Sequence, residues 1–108
     1  MTAYIQVVTT TQRKEDAERI ARALVEGRLA ACVQVLGPVA STYRWKGAIE
    51  TSQEWQCVAK SRQALFGEIE ETIRRVHPYE VPEILAVAIA AGSARYLAWL
   101  DEEVRQGP

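Results

Sequence analysis

Leu29 to Ser61, LAACVQVLGPVASTYRWKGAIETSQEWQCVAKS, reads as strand on both sides of a tight turn at Lys46-Gly47. It is a long hairpin. Gly37-Pro38 interrupts the first arm, and because proline cannot donate to a sheet ladder, this pair fits only a bulge or an edge position. Each arm runs to roughly 14 to 16 residues, or about 45 to 50 Å at about 3.3 Å per residue, against about 35 Å for a globule of this chain length. The tip therefore has to project. Period-two alternation puts Tyr43 and Trp45 on one face of the projecting part, and Trp55 stands on the return arm. Left on an unsupported ribbon these rings would forfeit several kcal/mol, at roughly 25 cal/mol per Å² of apolar area. A second copy of the chain is the expected shelter, in a small closed ring whose interface includes Tyr43, Trp45 and Trp55. The alternative is a hairpin that folds back at Gly37-Pro38 and buries its aromatics within one subunit.

The flanks complete the pattern. AYIQVV, Ala3 to Val8, is a β-branched strand ending in Thr9, Thr10 and Thr11, any of which suits a helix cap. Ala17, Ile20, Ala21, Leu24 and Val25 then recur at helical spacing, with Gly27 placed to stop the helix. After the hairpin, Leu65, Phe66, Ile69, Ile73 and Val76 form a second apolar stripe, ended by Pro78. EILAVAIAA, Glu83 to Ala91, is apolar at both parities, as in a strand covered on both faces. Ser93 is placed to cap a last helix with Tyr96, Leu97, Leu100 and Val104 on one side. The order β-α-β-β-α-β plus a helix, with right-handed crossovers, gives an α+β fold: the ferredoxin-like βαββαβ split sandwich with a C-terminal helix. Its helices cover one sheet face. The other is left for the last helix, which is short for the task.

Composition narrows the functional classes. The 108 residues are 48% apolar, enough for a single domain spanning 1–108. Thirteen basic residues against fourteen acidic ones give no positive field to hold nucleic acid or an anionic membrane. No apolar run reaches the roughly 18 to 20 residues of a membrane span, and Met1 is not followed by a secretory pattern, so a cytoplasmic location is expected. Cys32 and Cys57 lie in apolar strand-like stretches and read as free core or interface thiols. There is no CxxC, no glycine-rich phosphate loop and no GxSxG. A non-enzymatic protein is expected.

The chemistry-bearing stretch is HPYEVPE, His77 to Glu83, with the chain's single histidine. His77 closes the second helix, where the dipole favours its protonated form, and it reads as a structural cap or a metal ligand. Pro78 and Pro82 stiffen the corner that carries Tyr79 and Glu80. Glu80 and Glu83 are candidates for a hard cation or for ion pairs with Lys60 and Arg44. Lys60 is the expected counter-ion of Glu83 or of a bound anion. Lys60, Tyr79, Glu80 and Glu83, with His77 toward a metal, form the expected ligand wall.

LAACVQVLGPVASTYRWKGAIE, EWQCVAKS, HPYEVPEILAVAI and YLAWL, in this order, closely resemble the CutA family, named for divalent-cation tolerance, over about Ala3 to Leu100. The resemblance implies a ferredoxin-like subunit, a homotrimer closed by the long hairpins, a PII-like architecture, and a link to tolerance of copper and other divalent cations with no reaction attached. A divalent cation such as copper, or a small anionic ligand in the intersubunit clefts, is the implied ligand. Copper-binding proposals in the family use a cysteine at the end of the first strand and two adjacent histidines before the Pro-Tyr. Here those positions read Thr9 and Val76-His77, so His77 alone carries over. One imidazole without a nearby thiolate is a weak Cu(II) site. The alternative is a structural, anchoring or PII-like signalling trimer with no direct metal role.

Overall fold

The computed structural model describes residues 2–107, so the terminal residues of the expected 1–108 domain, Met1 and Pro108, lie outside the described residues. Eight elements follow in order: β1 (Tyr4–Thr11), α1 (Lys14–Glu26), β2 (Cys32–Trp45), β3 (Ala48–Arg62), a 3₁₀ turn (Gln63–Leu65), α2 (Phe66–Val76), β4 (Leu85–Ala88) and α3 (Ala94–Glu103). The strands form one antiparallel sheet in the order β2-β3-β1-β4. This is the split βαβ arrangement expected of the ferredoxin-like fold.

Alternation along β1 and β3 sets the two faces. Ile5, Val7, Thr9 and Thr11 on β1 and Cys57, Ala59 and Ser61 on β3 are all buried, and the register pairs Ile5 with Ser61, Val7 with Ala59 and Thr9 with Cys57. Onto this face pack Ala17, Ile20 and Leu24 of α1 and Ile69 and Ile73 of α2, one continuous core. The expected threonine cap is corrected. Thr9 to Thr11 extend β1 by three residues, and the helix starts after Arg13, in an extended conformation with no side-chain cap. The β-branched threonines fit the pleated, buried surface better than they fit a turn. Gly27 does end α1, but the left-handed residue is Arg28, φ 56°, after which the Leu29 N–H donates back to the Leu24 carbonyl.

The hairpin extends as its pattern requires. Lys46 and Gly47 both take positive φ, 50° and 82°, and join Trp45 to Ala48 in the two-residue turn that matches strand twist. The ladder breaks once, between Leu36/Gln56 and Val39/Glu54, where Gly37-Pro38 supplies the extra residue of a bulge. The ribbon does not fold back: the molecule is 44 Å long, Tyr43 and Trp45 stay 43% and 41% exposed, and Ile49 is more exposed still. Trp55 is set apart from them. It is half-buried on the helix face beside Lys14, whose Nζ lies 5.4 Å from its ring, and it lies flush against Gly37.

β4 differs from expectation. It is four residues long and exposed on both faces, with Leu85 56% and Val87 50% accessible. Its apolar parities are uncovered because α1 packs chiefly on β2 and β3 with α2 beside it, and α3 meets the sheet at β3. Ser93 caps α3 as expected, accepting from the Tyr96 N–H, and Leu100 and Val104 are buried. The Tyr4 hydroxyl donates to Asp101, 2.7 Å, and the Arg28 guanidinium donates to the carbonyls of Glu102 and Glu103, which holds the C-terminal end of α3 on the globule. Cys57 is buried, but Cys32, expected in the core, is only half-buried beneath Tyr96 on the open face; both thiols are free. No helix among the described residues is long and apolar enough to cross a membrane.

A Cβ at Gly37 would lie 2.6 Å from Trp55 Cε3. Gly37→Ala is therefore expected to cost about 1–3 kcal/mol through overpacking, read as a lower urea midpoint. The same change in a Trp55→Leu background should cost measurably less, since the ring that clashes is gone.

Candidate functional site

On the face away from the helices, β3 carries Glu54, Gln56, Val58 and Lys60, and β1 carries Tyr4, Gln6, Val8 and Thr10. Glu54 lies just past the bulge, opposite Val39, where the ribbon leaves the globule. Following α2, the chain turns at His77, whose ψ of 131° is the extended conformation that a following proline imposes. The corner brings Tyr79 over Glu54: the Tyr79 hydroxyl donates to Glu54 Oε2, 2.8 Å. Between corner and ribbon lies a cleft of about 660 Å³. Tyr79, Glu80, Val81, Pro82 and Glu83 form one wall, Tyr43, Trp45 and Glu50 the other, and Thr10 and Glu54 line it between them.

His77 stands behind this wall and is 8% exposed. Its Nδ1 accepts the Tyr79 N–H at 3.1 Å, which fixes the proton on Nε2, and Nε2–H donates to the Thr10 carbonyl at 2.7 Å. The imidazole and phenol rings also pack, with centroids 4.7 Å apart. Both ring nitrogens are thus occupied within the chain. The protonated form anticipated from the helix dipole is not what results, because burial pushes the His77 pKa below its ordinary value of 6.5, only partly opposed by the Thr10 hydrogen bond and the nearby Asp16 and Glu54. Tyr79 moves the other way. Burial first, then its hydrogen bond to Glu54 and the charge of that carboxylate, hold its pKa well above the usual phenol value, so it remains a donor.

Of the residues expected to form the ligand wall, Tyr79, Glu80 and Glu83 are brought together, His77 braces them from behind, and Lys60 is elsewhere. Lys60 sits across from Gln6 and Cys32, six positions from Glu54 along β3, roughly 20 Å at 3.3 Å per residue. Its Nζ donates to Gln34 Oε1 rather than to Glu83, and among the described residues neither Glu80 nor Glu83 makes an ion pair. Sequence reasoning missed Glu54 and Glu50. The available signal was parity: counted from buried Cys57, Glu54 falls on the face shared with Tyr43 and Thr10. Among the described residues no three His, Cys, Asp or Glu side chains converge on a point that could hold a metal ion.

The fold and the cleft define a ferredoxin-like chain with a projecting two-stranded ribbon and an acidic, aromatic-walled cleft at the ribbon's base. Residues 5–103 match the family model of the CutA1 divalent ion tolerance protein, and the chain belongs to that family. It is 44% identical over 96 residues to the divalent-cation tolerance protein CutA of Thermus thermophilus, covering 89% of this chain and 93% of that protein. A solved structure of the divalent cation tolerance protein from Thermus thermophilus superposes with a TM-score of 0.92 at 41% identity, covering 94% of this chain and 99% of the other. The chloroplastic protein CutA 1 of Oryza sativa is 34% identical over 102 residues; the match takes in 94% of this chain but spans only 58% of that relative's length.

Because the folded His77 pKa lies below the ordinary 6.5, the unfolded chain takes up this proton first as pH falls. Its contribution to stability is complete above the ordinary value and is lost as pH drops through the window toward the folded value. The thermal midpoint is expected to fall as pH drops below the ordinary His77 value of 6.5, with that part of the profile flattened in His77→Gln. At neutral pH, His77→Ala should cost about 1–3 kcal/mol, since the Thr10 carbonyl and the Tyr79 N–H lose their partner.

Proposed function

We propose that this member of the divalent-cation tolerance family is a non-enzymatic homotrimer that binds a cation in the cleft between the ribbon and the 77–83 corner. The observation that carries the reading is the lining itself: Glu50, Glu54, Glu80 and Glu83 with no Lys, Arg or His. Such a wall repels the small anionic ligand that the sequence left open, and Lys60, the residue invoked for it, is far along β3. Oxygen donors favour hard divalent ions such as Mg²⁺ or Mn²⁺ over Cu(II), for which the one imidazole is already engaged at both nitrogens.

Uncovered apolar surface supports the trimer. Leu36, Leu85 and Val87 on the sheet and Tyr43, Trp45 and Ile49 on the ribbon are all exposed in the single chain. A ring of copies covers both sets, each ribbon crossing to the next subunit's open face, and places the cleft beside a subunit junction. The free thiols fit a reducing, cytoplasmic setting. One observation favours the rival reading of an anchoring or PII-like signalling trimer without a direct metal role: no three ligand side chains converge within one chain among the described residues.

Sedimentation at micromolar concentration should report three chains, and Tyr43→Ser combined with Trp45→Ser should shift the population toward monomer. Titration with Mn²⁺ should show one equivalent site per chain, weakened about tenfold in Glu80→Gln/Glu83→Gln and little changed in His77→Gln. A flat Mn²⁺ titration of an intact trimer would favour the anchoring reading.

A further inference from the structure

The segment 77–84 joins α2 to β4 without regular secondary structure, and among the described residues no backbone group of 78–84 pairs with another backbone group. Pro78, Glu80, Val81 and Glu83 are exposed. Two hydrogen bonds hold the middle of the segment down. The Tyr79 N–H donates to His77 Nδ1, 3.1 Å, and the Tyr79 hydroxyl donates to Glu54 Oε2, 2.8 Å. The ends are fixed independently of these bonds: the His77 N–H closes the last turn of α2 on the Ile73 carbonyl, and Leu85 pairs with Val8 of β1.

The first of the two bonds needs a neutral imidazole. Nε2–H is committed to the Thr10 carbonyl at 2.7 Å, so a proton added to the ring goes to Nδ1. There it meets the Tyr79 N–H, and two donors cannot bond each other. The bond to Thr10 is meanwhile strengthened by the positive charge, so the conflict falls on the corner and not on β1. Groups on the neighbouring elements do not remove it. Asp16 of α1 and Glu54 of β3 attract the charged ring, Arg19 of α1 is engaged by Asp16 and the Val76 carbonyl, and β1 offers the ring only the Thr10 carbonyl. Arg74 and Arg75 of α2 are exposed.

We infer that the 77–84 corner is a proton-sensitive flap: a proton on His77 Nδ1 expels the Tyr79 N–H, and the corner swings off Glu54 while the sheet and helices stay folded. Its stiff, exposed middle moves between two anchored ends, as expected of a segment with few buried contacts and almost no backbone hydrogen bonds. Opening withdraws the Tyr79 hydroxyl from Glu54 and carries Glu80 and Glu83 away from the ribbon, so the cleft has its second wall only while His77 is neutral. This holds whatever the cleft binds. Burial opposes the charged ring in the closed corner, so closure is complete above the ordinary histidine value of 6.5 and weakens as pH falls below it.

Amide hydrogen exchange on the assembled full-length protein, read residue by residue by NMR from about pH 7.5 to about pH 5.5 and corrected for intrinsic rates, tests this. Uptake of one proton on opening predicts that protection of the Tyr79 amide falls by up to about tenfold per pH unit below 6.5, while amides of β1 and the middle of α2 keep theirs. His77→Gln, which retains a donor and an acceptor but does not titrate, should abolish the slope. Glu54→Gln and Asp16→Asn should retain it, and Tyr79→Phe should lower protection at every pH with the slope unchanged. Protection of Tyr79 that is independent of pH would overturn the inference, as would a loss shared equally by β1 and α2, which marks global unfolding. A slope that survives in His77→Gln, or that vanishes in Glu54→Gln or Asp16→Asn, would assign the proton to another group and overturn it as well.

Discussion

The pairing of β2 with β3 beyond the reach of the core is the constraint on which the rest of this molecule depends. Within the globule, the register from Cys32/Lys60 to Leu36/Gln56 is fixed by burial, because a slip of one residue would move Cys57 and Ala59 out of the core. Beyond the bulge no core residue enforces the register. It is held there by the two-residue turn at Lys46-Gly47, which permits only one pairing, and by the close seat of Trp55 on Gly37, which locks the ribbon's base to the globule. A side chain at position 37 would separate those two elements, so the direction in which the ribbon leaves depends on a missing Cβ.

That direction builds the cleft. The extra residue at the bulge re-aims the ribbon, so that Tyr43, Trp45 and Glu50 face the corner after α2 instead of running off the sheet's edge. The corner is in turn fixed from behind. His77 bridges the Thr10 carbonyl on β1 and the Tyr79 N–H, and Tyr79 reaches Glu54 on β3, so three successive hydrogen bonds tie the helix end to two strands. A neutral, buried imidazole suits this role better than a charged one. The loop after α2, which has no regular secondary structure of its own, thereby presents its carboxylates from a braced frame.

Periodicity made most of the fold legible, and the reasons for the misses are physical. Alternation and turn chemistry located β1, the hairpin and its turn, and the 3.6-residue stripes located α1, α2 and α3, because each of those patterns reports burial against a neighbour. Thr9 to Thr11 misled because threonine serves both as a cap and as a β-branched strand residue, and only the buried partner Cys57 decides between them. EILAVAIAA suggested a covered strand, yet β4 is bare in the single chain, because an apolar run marks a surface suited to burial without specifying which element packs on it. In the site, the local cluster His77 to Glu83 was visible because it is contiguous. Glu54 was not, because its place opposite Tyr79 depends on a tertiary approach that no local spacing encodes. Lys60 fails as a partner of Glu83 because six residues of extended chain, roughly 20 Å, separate it from Glu54 and the cleft, a separation that nearness in sequence conceals.

Negative charge in the cleft is spread along its walls and not gathered at a point. With no cation between them, carboxylates drawn to one point repel one another, and that repulsion grows as water is excluded. Spreading Glu50, Glu80 and Glu83 along the walls avoids that repulsion and leaves Glu54 as the single buried member, relieved by a phenol that stays protonated.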